Sequence, residues 1–477
     1  MVVKGIVSAV MLAAVSFSAQ AQLRIGQGPV AETYKDFCAS CHGDNMQGGS
    51  GPSLIDDESL HGNTPADLTR IIAKGVPDTE MMAFEDGLSA EDIRALVIYI
   101  SENKRLAEIG GLESIKRPAN SEFSTEAHSF KLETLFETEG VLWAINFLPN
   151  QDMLVTRRDG TLFVIRDGKA TVIEGTPEVW HKRQGGLLDA EPHPDYENNG
   201  WIYLSFSASS VERDGNMTGM TKVVRGKIKD NKWTDEETIF LAPTDLHIAT
   251  NHHFGSRFVF DDGYLYFSIG DRGRMEMAQD LARPNGKIHR IHDDGRIPAD
   301  NPFVDTPGAM KSVWSYGHRN PQGLMMDTTT GLLYDTEHGP RGGDELNLIE
   351  KGKNYGWPVI TYGMNYNGTP MTDKTEAPGM EQPVIYWVPS IATAGSDFYD
   401  GDKFPSWKGD ALVAGMASQE LHRVRIKDGK ALEDEVILRG MGRIRDVETG
   451  PDGYIYVLLN DGNTDKGTIA RLVPVSD

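Results

Sequence analysis

One pattern recurs six times between residues 147 and 456: an apolar pair, a tight polar turn that usually holds glycine, then alternating apolar residues. It runs from Phe147-Leu148 through Asn150-Gln151-Asp152 to Met153-Leu154-Val155, then from His193-Pro194 through Asn199-Gly200 to Trp201-Ile202-Tyr203. The third copy joins Phe260 to Leu265 through Asp262-Gly263, and the fourth joins Met326 to Leu333-Tyr334 through Gly331. Phe398 through Gly409-Asp410 to Leu412-Val413 is the fifth, and Gly450-Pro451-Asp452-Gly453 to Tyr454-Ile455-Tyr456 the sixth. Period-two alternation around such turns marks hairpins, and a repeated hairpin buries its faces only by stacking on its neighbours. The pattern predicts an all-β six-bladed β-propeller over residues 131–477, with its chemistry on loops at one mouth. A pair of β-sandwiches is the competing architecture, but it requires no repeated unit.

The texture before about Gly110 is helical, and residues 22–109 read as a small all-α domain joined to the propeller by a connector over 110–130. Thr64-Pro65-Ala66-Asp67 supplies an N-cap, a proline in the first turn and an acidic residue; Gly75 supplies the stop. Ser89 and Asp92 open a second helix whose Ile93, Leu96, Val97 and Ile100 form one apolar face. Within this domain stands Cys38-Ala39-Ser40-Cys41-His42, holding the only two cysteines of the 477 residues. C-x-x-C-H is the attachment motif of c-type haem: Cys38 and Cys41 form the thioethers, and His42 becomes an axial iron ligand. A redox dithiol or half a zinc site is the alternative, but no further ligands stand nearby at zinc spacing.

Residues 1–21 read as a signal peptide, with Lys4, an apolar Val7 to Phe17 and the small-residue site Ala19-Gln20-Ala21. Export places the protein in the periplasm. No later stretch is long and apolar enough for a transmembrane anchor in the mature chain. A formal charge of -23, from 70 acidic and 47 basic residues, argues against nucleic acid or anionic lipid as partners.

From about Val30 to Asn103 the chain resembles the small class I cytochromes c. The segment Gly75 to Phe84 is similar to their Met-Pro-Ala-Phe loop, which implies Met81 as the second axial ligand; Met82 stands where that family has proline. Gly51-Pro52-Ser53-Leu54 resembles the loop whose proline carbonyl accepts the Nδ1–H of the haem histidine. With both axial positions filled, such a domain carries electrons and does not bind oxygen.

The propeller region holds seven dense clusters of Gly, His, Arg and carboxylates: Gln184 to Leu188, His252 to Arg257, Ser268 to Gly273, Gly317 to Gly323, Glu337 to Glu345, Asn354 to Pro358 and Arg443 to Asp446. In this order they resemble the soluble quinoprotein glucose and aldose sugar dehydrogenase family, six-bladed propellers that use pyrroloquinoline quinone (PQQ) and calcium. The resemblance runs from about Leu142 to Leu472. It implies His253 as the base that removes a sugar hydroxyl proton during hydride transfer to PQQ, with Asp271 orienting it. Arg319 and Asn320 would stabilise the quinone oxygens, and Gln184 would lie near a sugar hydroxyl. The backbone carbonyls of Gly339 and Pro340 would hold calcium. Arg443 and Arg445 alternate on a strand, so both can face the carboxylates of PQQ. His252 is the rival to His253. Where the glucose branch has a lysine, Gly415 to Glu420 offers no cation, and His338 replaces a glutamine as in the aldose branch.

The expected protein is thus a periplasmic quinohaemoprotein that oxidises an aldose to a lactone and passes electrons through its own haem c. An external cytochrome, copper protein or oxidase would take them onward. A calcium-dependent propeller hydrolase such as a lactonase accounts for the carboxylates and histidines but not for the haem. A propeller that has lost its cofactor and binds a partner is the non-enzymatic alternative.

Overall fold

The computed structural model describes residues 28–56, 58–109, 122–462 and 466–475; the leader expected over 1–21 lies outside them. Six antiparallel sheets follow one another around an axis. Their innermost strands are Leu142–Phe147, Leu187–Pro192, Phe258–Asp261, Pro321–Asp327, Thr393–Phe398 and Arg443–Thr449, which we take as blades 1 to 6. Each of the six sequence repeats is the inner hairpin of one blade, because its turn joins the first and second strands.

Alternation explains why the blades stack. In blade 6, Ile455, Val457 and Leu459 face the apolar seam with blade 5. Tyr456 and Leu458, on the opposite side of the same strand, face the seam with blade 1. Successive side chains of a strand point to opposite faces, so each strand feeds two interblade cores. The ring closes where Ser129–Glu139 pairs beside Lys466–Pro474, with Thr134 opposite Ala470. Phe130 is fully buried there and meets Phe404 and Trp407 edge-on, at 6.0 Å and 6.1 Å. The propeller therefore starts earlier than residue 131. Glu122–Ser124 adds an outermost strand, so the connector expected over 110–130 ends by residue 122.

The axis is held by one side chain. Arg257, at the entrance to blade 3, donates from Nη1 to Asp446 of blade 6 at 2.9 Å and from Nε to the Gln322 carbonyl of blade 4 at 3.0 Å. It lies 3.6 Å from Asp189 of blade 2 and 4.3 Å from the ring centre of Trp143 in blade 1.

The N-terminal domain packs helices α1 (Pro29–Phe37), α2 (Ala39–His42), α3 (Pro65–Lys74) and α4 (Ala90–Glu108). Both expected helix starts are formed, and each is a capping box, Thr64 with Asp67 and Ser89 with Asp92. Helix α4 is buried beyond its predicted face, since Ala95, Ile98, Tyr99 and Glu102 are also covered. The propeller covers Ile98 and Glu102, through Gly342 and Arg341, whereas Tyr99 packs on Tyr34 within the domain. No helix among the described residues is long and apolar enough to cross a membrane.

Arg257→Ala leaves Asp446 and Asp189 buried without their cation, and is expected to destabilise the propeller by about 3–5 kcal/mol in chemical unfolding.

Candidate active site

His253 stands in the turn that precedes the inner strand of blade 3. This turn is bent sharply: His253, Gly255 and Ser256 have φ of 55°, 65° and 101°. Non-glycine residues in that region mark positions where the surroundings impose the backbone. The His253 N–H donates to Gln184 Oε1 at 2.7 Å. Its Nδ1 meets Asp271 Oδ1 at 2.6 Å, and Asp271 Oδ2 accepts the Trp357 indole N–H at 2.8 Å. A carboxylate only accepts, so Nδ1 carries the proton and Nε2 is left with its lone pair. Burial and the Arg319 charge push the His253 imidazole down to about 4, although Asp271 opposes them. Burial alone would raise the Asp271 carboxyl, but its bond to His253 and the nearby Arg319 bring it below the ordinary carboxylate value. His252 lies edge-on to His253 at 4.9 Å and has no hydrogen bond to a carboxylate among the described residues.

Arg319 is buried and held from three sides. Its N–H donates to Glu337 at 2.6 Å, its carbonyl accepts from Asp271 N at 2.7 Å, and its Nη1 donates to the His338 carbonyl at 3.1 Å. Asn320 Oδ1 accepts from Gly255 N at 3.3 Å, tying blade 4 to the His253 turn. Gln184, His253, Asp271, Arg319 and Asn320 are thus brought together.

Arg443 and Arg445 line the same mouth. Burial pushes both guanidiniums below their ordinary range, and each is opposed further by the charge of Arg158. Arg443 Nη2 rests on the Met416 sulfur at 3.8 Å, within the segment that lacks the lysine. Arg445 Nη1 reaches Gln322 at 3.4 Å, while its buried Nε has no partner among the described residues. His338 lies between this group and Arg319 and is pushed well down by burial and by their charges. Among the described residues no ion pair links Arg443 or Arg445 to a carboxylate as Asp189 and Asp446 are linked to Arg257, which suits this pair to an anion. Arg158 was missed by sequence reasoning, because Thr156-Arg157-Arg158-Asp159-Gly160 reads as an ordinary strand end.

The expected calcium position is a loop that follows blade 4's second strand. No hydrogen bond reaches the Gly339 or Pro340 carbonyl among the described residues. A Cβ on Gly339 would run into the Gly343 carbonyl, so only glycine allows the loop to fold this tightly. A cavity of about 10 Å³ opens here, lined by Glu337, Gly339, Gly343 and Glu345 among others. Its two carboxylates are hard oxygen donors of the kind calcium takes, and Arg319, His338, Tyr355 and Trp357 share the lining.

A profile described as Glucose / Sorbosone dehydrogenase matches residues 140–471. The chain belongs to the glucose/sorbosone dehydrogenase family. Aldose sugar dehydrogenase YliI of Escherichia coli is 44% identical over 341 residues, covering 70% of this chain and 90% of that protein. The apo crystal structure of the Escherichia coli soluble aldose sugar dehydrogenase superposes with a TM-score of 0.68 at 39% identity, covering 72% of this chain and all (100%) of the other. A PQQ-bound aldose sugar dehydrogenase from Streptomyces coelicolor gives 0.60 at 26% identity, covering 74% and 100%.

To its dehydrogenase propeller this family member adds a cytochrome domain. A profile described as Cytochrome C oxidase, cbb3-type, subunit III matches residues 28–100. Cys38 and Cys41 form no disulfide, and His42 is buried with its Nδ1 2.8 Å from the Pro52 carbonyl. That carbonyl can only accept, so Nε2 is the nitrogen left for a metal. Met82 is 66% exposed whereas Met81 is half-buried, its carbonyl accepting from Val76 N at 2.9 Å.

The arginine group predicts binding of a simple polycarboxylate. Citrate at about 100 times its Kd should stabilise the wild-type protein by about 2.7 kcal/mol in thermal melts. Arg445→Gln should lose most of that gain, and added salt should weaken it.

Proposed function

We propose that the protein is a periplasmic quinohaemoprotein that oxidises an aldose hemiacetal to its lactone and delivers the electrons to its own haem c. The observation that carries this reading is the His253–Asp271 pair facing Arg443 and Arg445, which make no ion pair with a carboxylate among the described residues. The arginines fit a cofactor that bears several carboxylates, and the uncovered Gly339 and Pro340 carbonyls fit calcium. When bound, PQQ supplies a two-electron acceptor, calcium polarises it as a Lewis acid, and haem c relays single electrons. Its holders would be Arg443, Arg445, Asn320 and Arg319, with Cys38, Cys41, His42 and Met81 on the haem.

The chain's own part is proton handling and orientation. His253 Nε2 takes the proton of the anomeric hydroxyl as the C–H bond at that carbon breaks. Asp271 holds the ring in the required tautomer and stabilises the imidazolium that forms; Trp357 holds Asp271 in turn. Arg319 sets a positive charge where negative charge develops. Gln184 fixes the backbone that carries the base.

His253→Ala should lower sugar-driven dye reduction by about 10²–10⁴-fold while leaving the haem spectrum unchanged. Turnover close to wild type would remove His253 from this role. The base must be neutral, and its folded value of about 4 lies below the ordinary 6.5. Activity should therefore hold from neutral pH down past the usual histidine range and fall only as the pH passes through about 4.

A further inference from the structure

Helix α4 carries a second working face. Arg94, Ile98, Glu102 and Arg105 follow at spacings of four, four and three residues, one stripe along the helix. Every member meets the propeller. Arg94 donates to the carbonyls of Thr361, Thr372 and Asp373 at 3.1, 2.8 and 3.1 Å. Arg105 pairs with Glu420 of blade 5. Ile98 packs so closely on Gly342 that a Cβ there would lie 3.1 Å away. Glu102 and Arg341 form a bidentate pair at 2.9 and 2.5 Å, with both side chains almost fully buried.

Arg341 directly follows Gly339-Pro340. Its backbone exchanges two hydrogen bonds with Met364, at 3.0 and 2.9 Å, and Met364 belongs to the apolar core of the haem domain alongside Val30, Tyr34 and Ile98. The loop bearing the two uncovered carbonyls is therefore clamped between α4 and residues 361–364. The geometry points to Glu102 and Arg341 as positioning residues: seating the haem domain holds the Gly339–Pro340 loop in the shape that binds the cation and the quinone. This inference rests on the proposed role of those two carbonyls.

A double-mutant cycle on the full, haem-containing chain tests it. The variants are Glu102→Leu, Arg341→Met and the two together, with Glu102→Gln as the milder single change. Calcium-dependent PQQ binding is measured by titration calorimetry without sugar. The two domains are followed separately in melts, since haem absorbance reports one and all eight tryptophans, Trp143 to Trp407, lie in the other. Each single change strands a buried charge, and should weaken quinone binding about tenfold or more and make the haem domain melt before the propeller. The apolar pair removes both charges and should recover most of the binding and the single transition. Binding by Glu102→Leu within about twofold of wild type would overturn the inference, as would a double variant no better than the worse single one. Failure of the unaltered protein to bind PQQ would overturn the proposed function itself, and the positioning role with it.

Discussion

Arg257 is the interaction on which the rest depends. A propeller has no single core; it has apolar seams between neighbouring blades and a polar axis that must be satisfied. Here one guanidinium reaches blades 6, 4, 2 and 1 from blade 3, and Gly395 of blade 5 is close enough that a Cβ would lie 2.9 Å from it. Asp446 completes the hub by accepting the Ile145 N–H at 2.9 Å. The hub also aims the chemistry. His253 lies in the turn four residues before Arg257, and Arg445 in the inner strand beside Asp446, so both stand next to a residue fixed at the axis. His253 and Arg445 are thus held by the same constraint.

Above the hub, electrostatics divides the labour. Arg257 is matched by carboxylates and serves the fold, whereas Arg443 and Arg445 oppose one another at the mouth. Their mutual repulsion is a cost that an anionic ligand would relieve. Burial first, and then the Arg319 charge, hold the His253 and His338 imidazoles below their ordinary value. A neutral imidazole with its Nε2 free is what proton removal requires.

Much of this was legible in the residues. The six hairpins fell on the six inner blade hairpins because alternation and glycine turns are local signals. The caps of α3 and α4 formed where they were read, and most of the clustered Gly-His-Arg motifs converge because they sit at the end of an inner or second strand, Asn354 to Pro358 following the third strand of blade 4 instead. The ring closure was less visible: Ser129–Glu139 pairs with a strand more than 300 residues away, and no local pattern announces such a partner. Arg158 carries no motif of its own. The domain seam did leave a trace. Ala95 to Ile100 is a continuous apolar run, too wide for a helix with one solvent face, and a helix apolar on all sides is a helix covered on all sides. The position of Glu102 as the buried anion opposite Arg341 depends on tertiary docking and could not be read.

The account stands on electrons from a sugar reaching the haem of the same molecule. The most direct test loads the purified haem protein with calcium and PQQ under anaerobic conditions, adds an aldose, and follows the haem absorption at several protein concentrations. We predict reduction that requires both sugar and quinone, at a rate that does not change with protein concentration. Haem that stays oxidised while an added dye is reduced by the sugar would contradict the internal path.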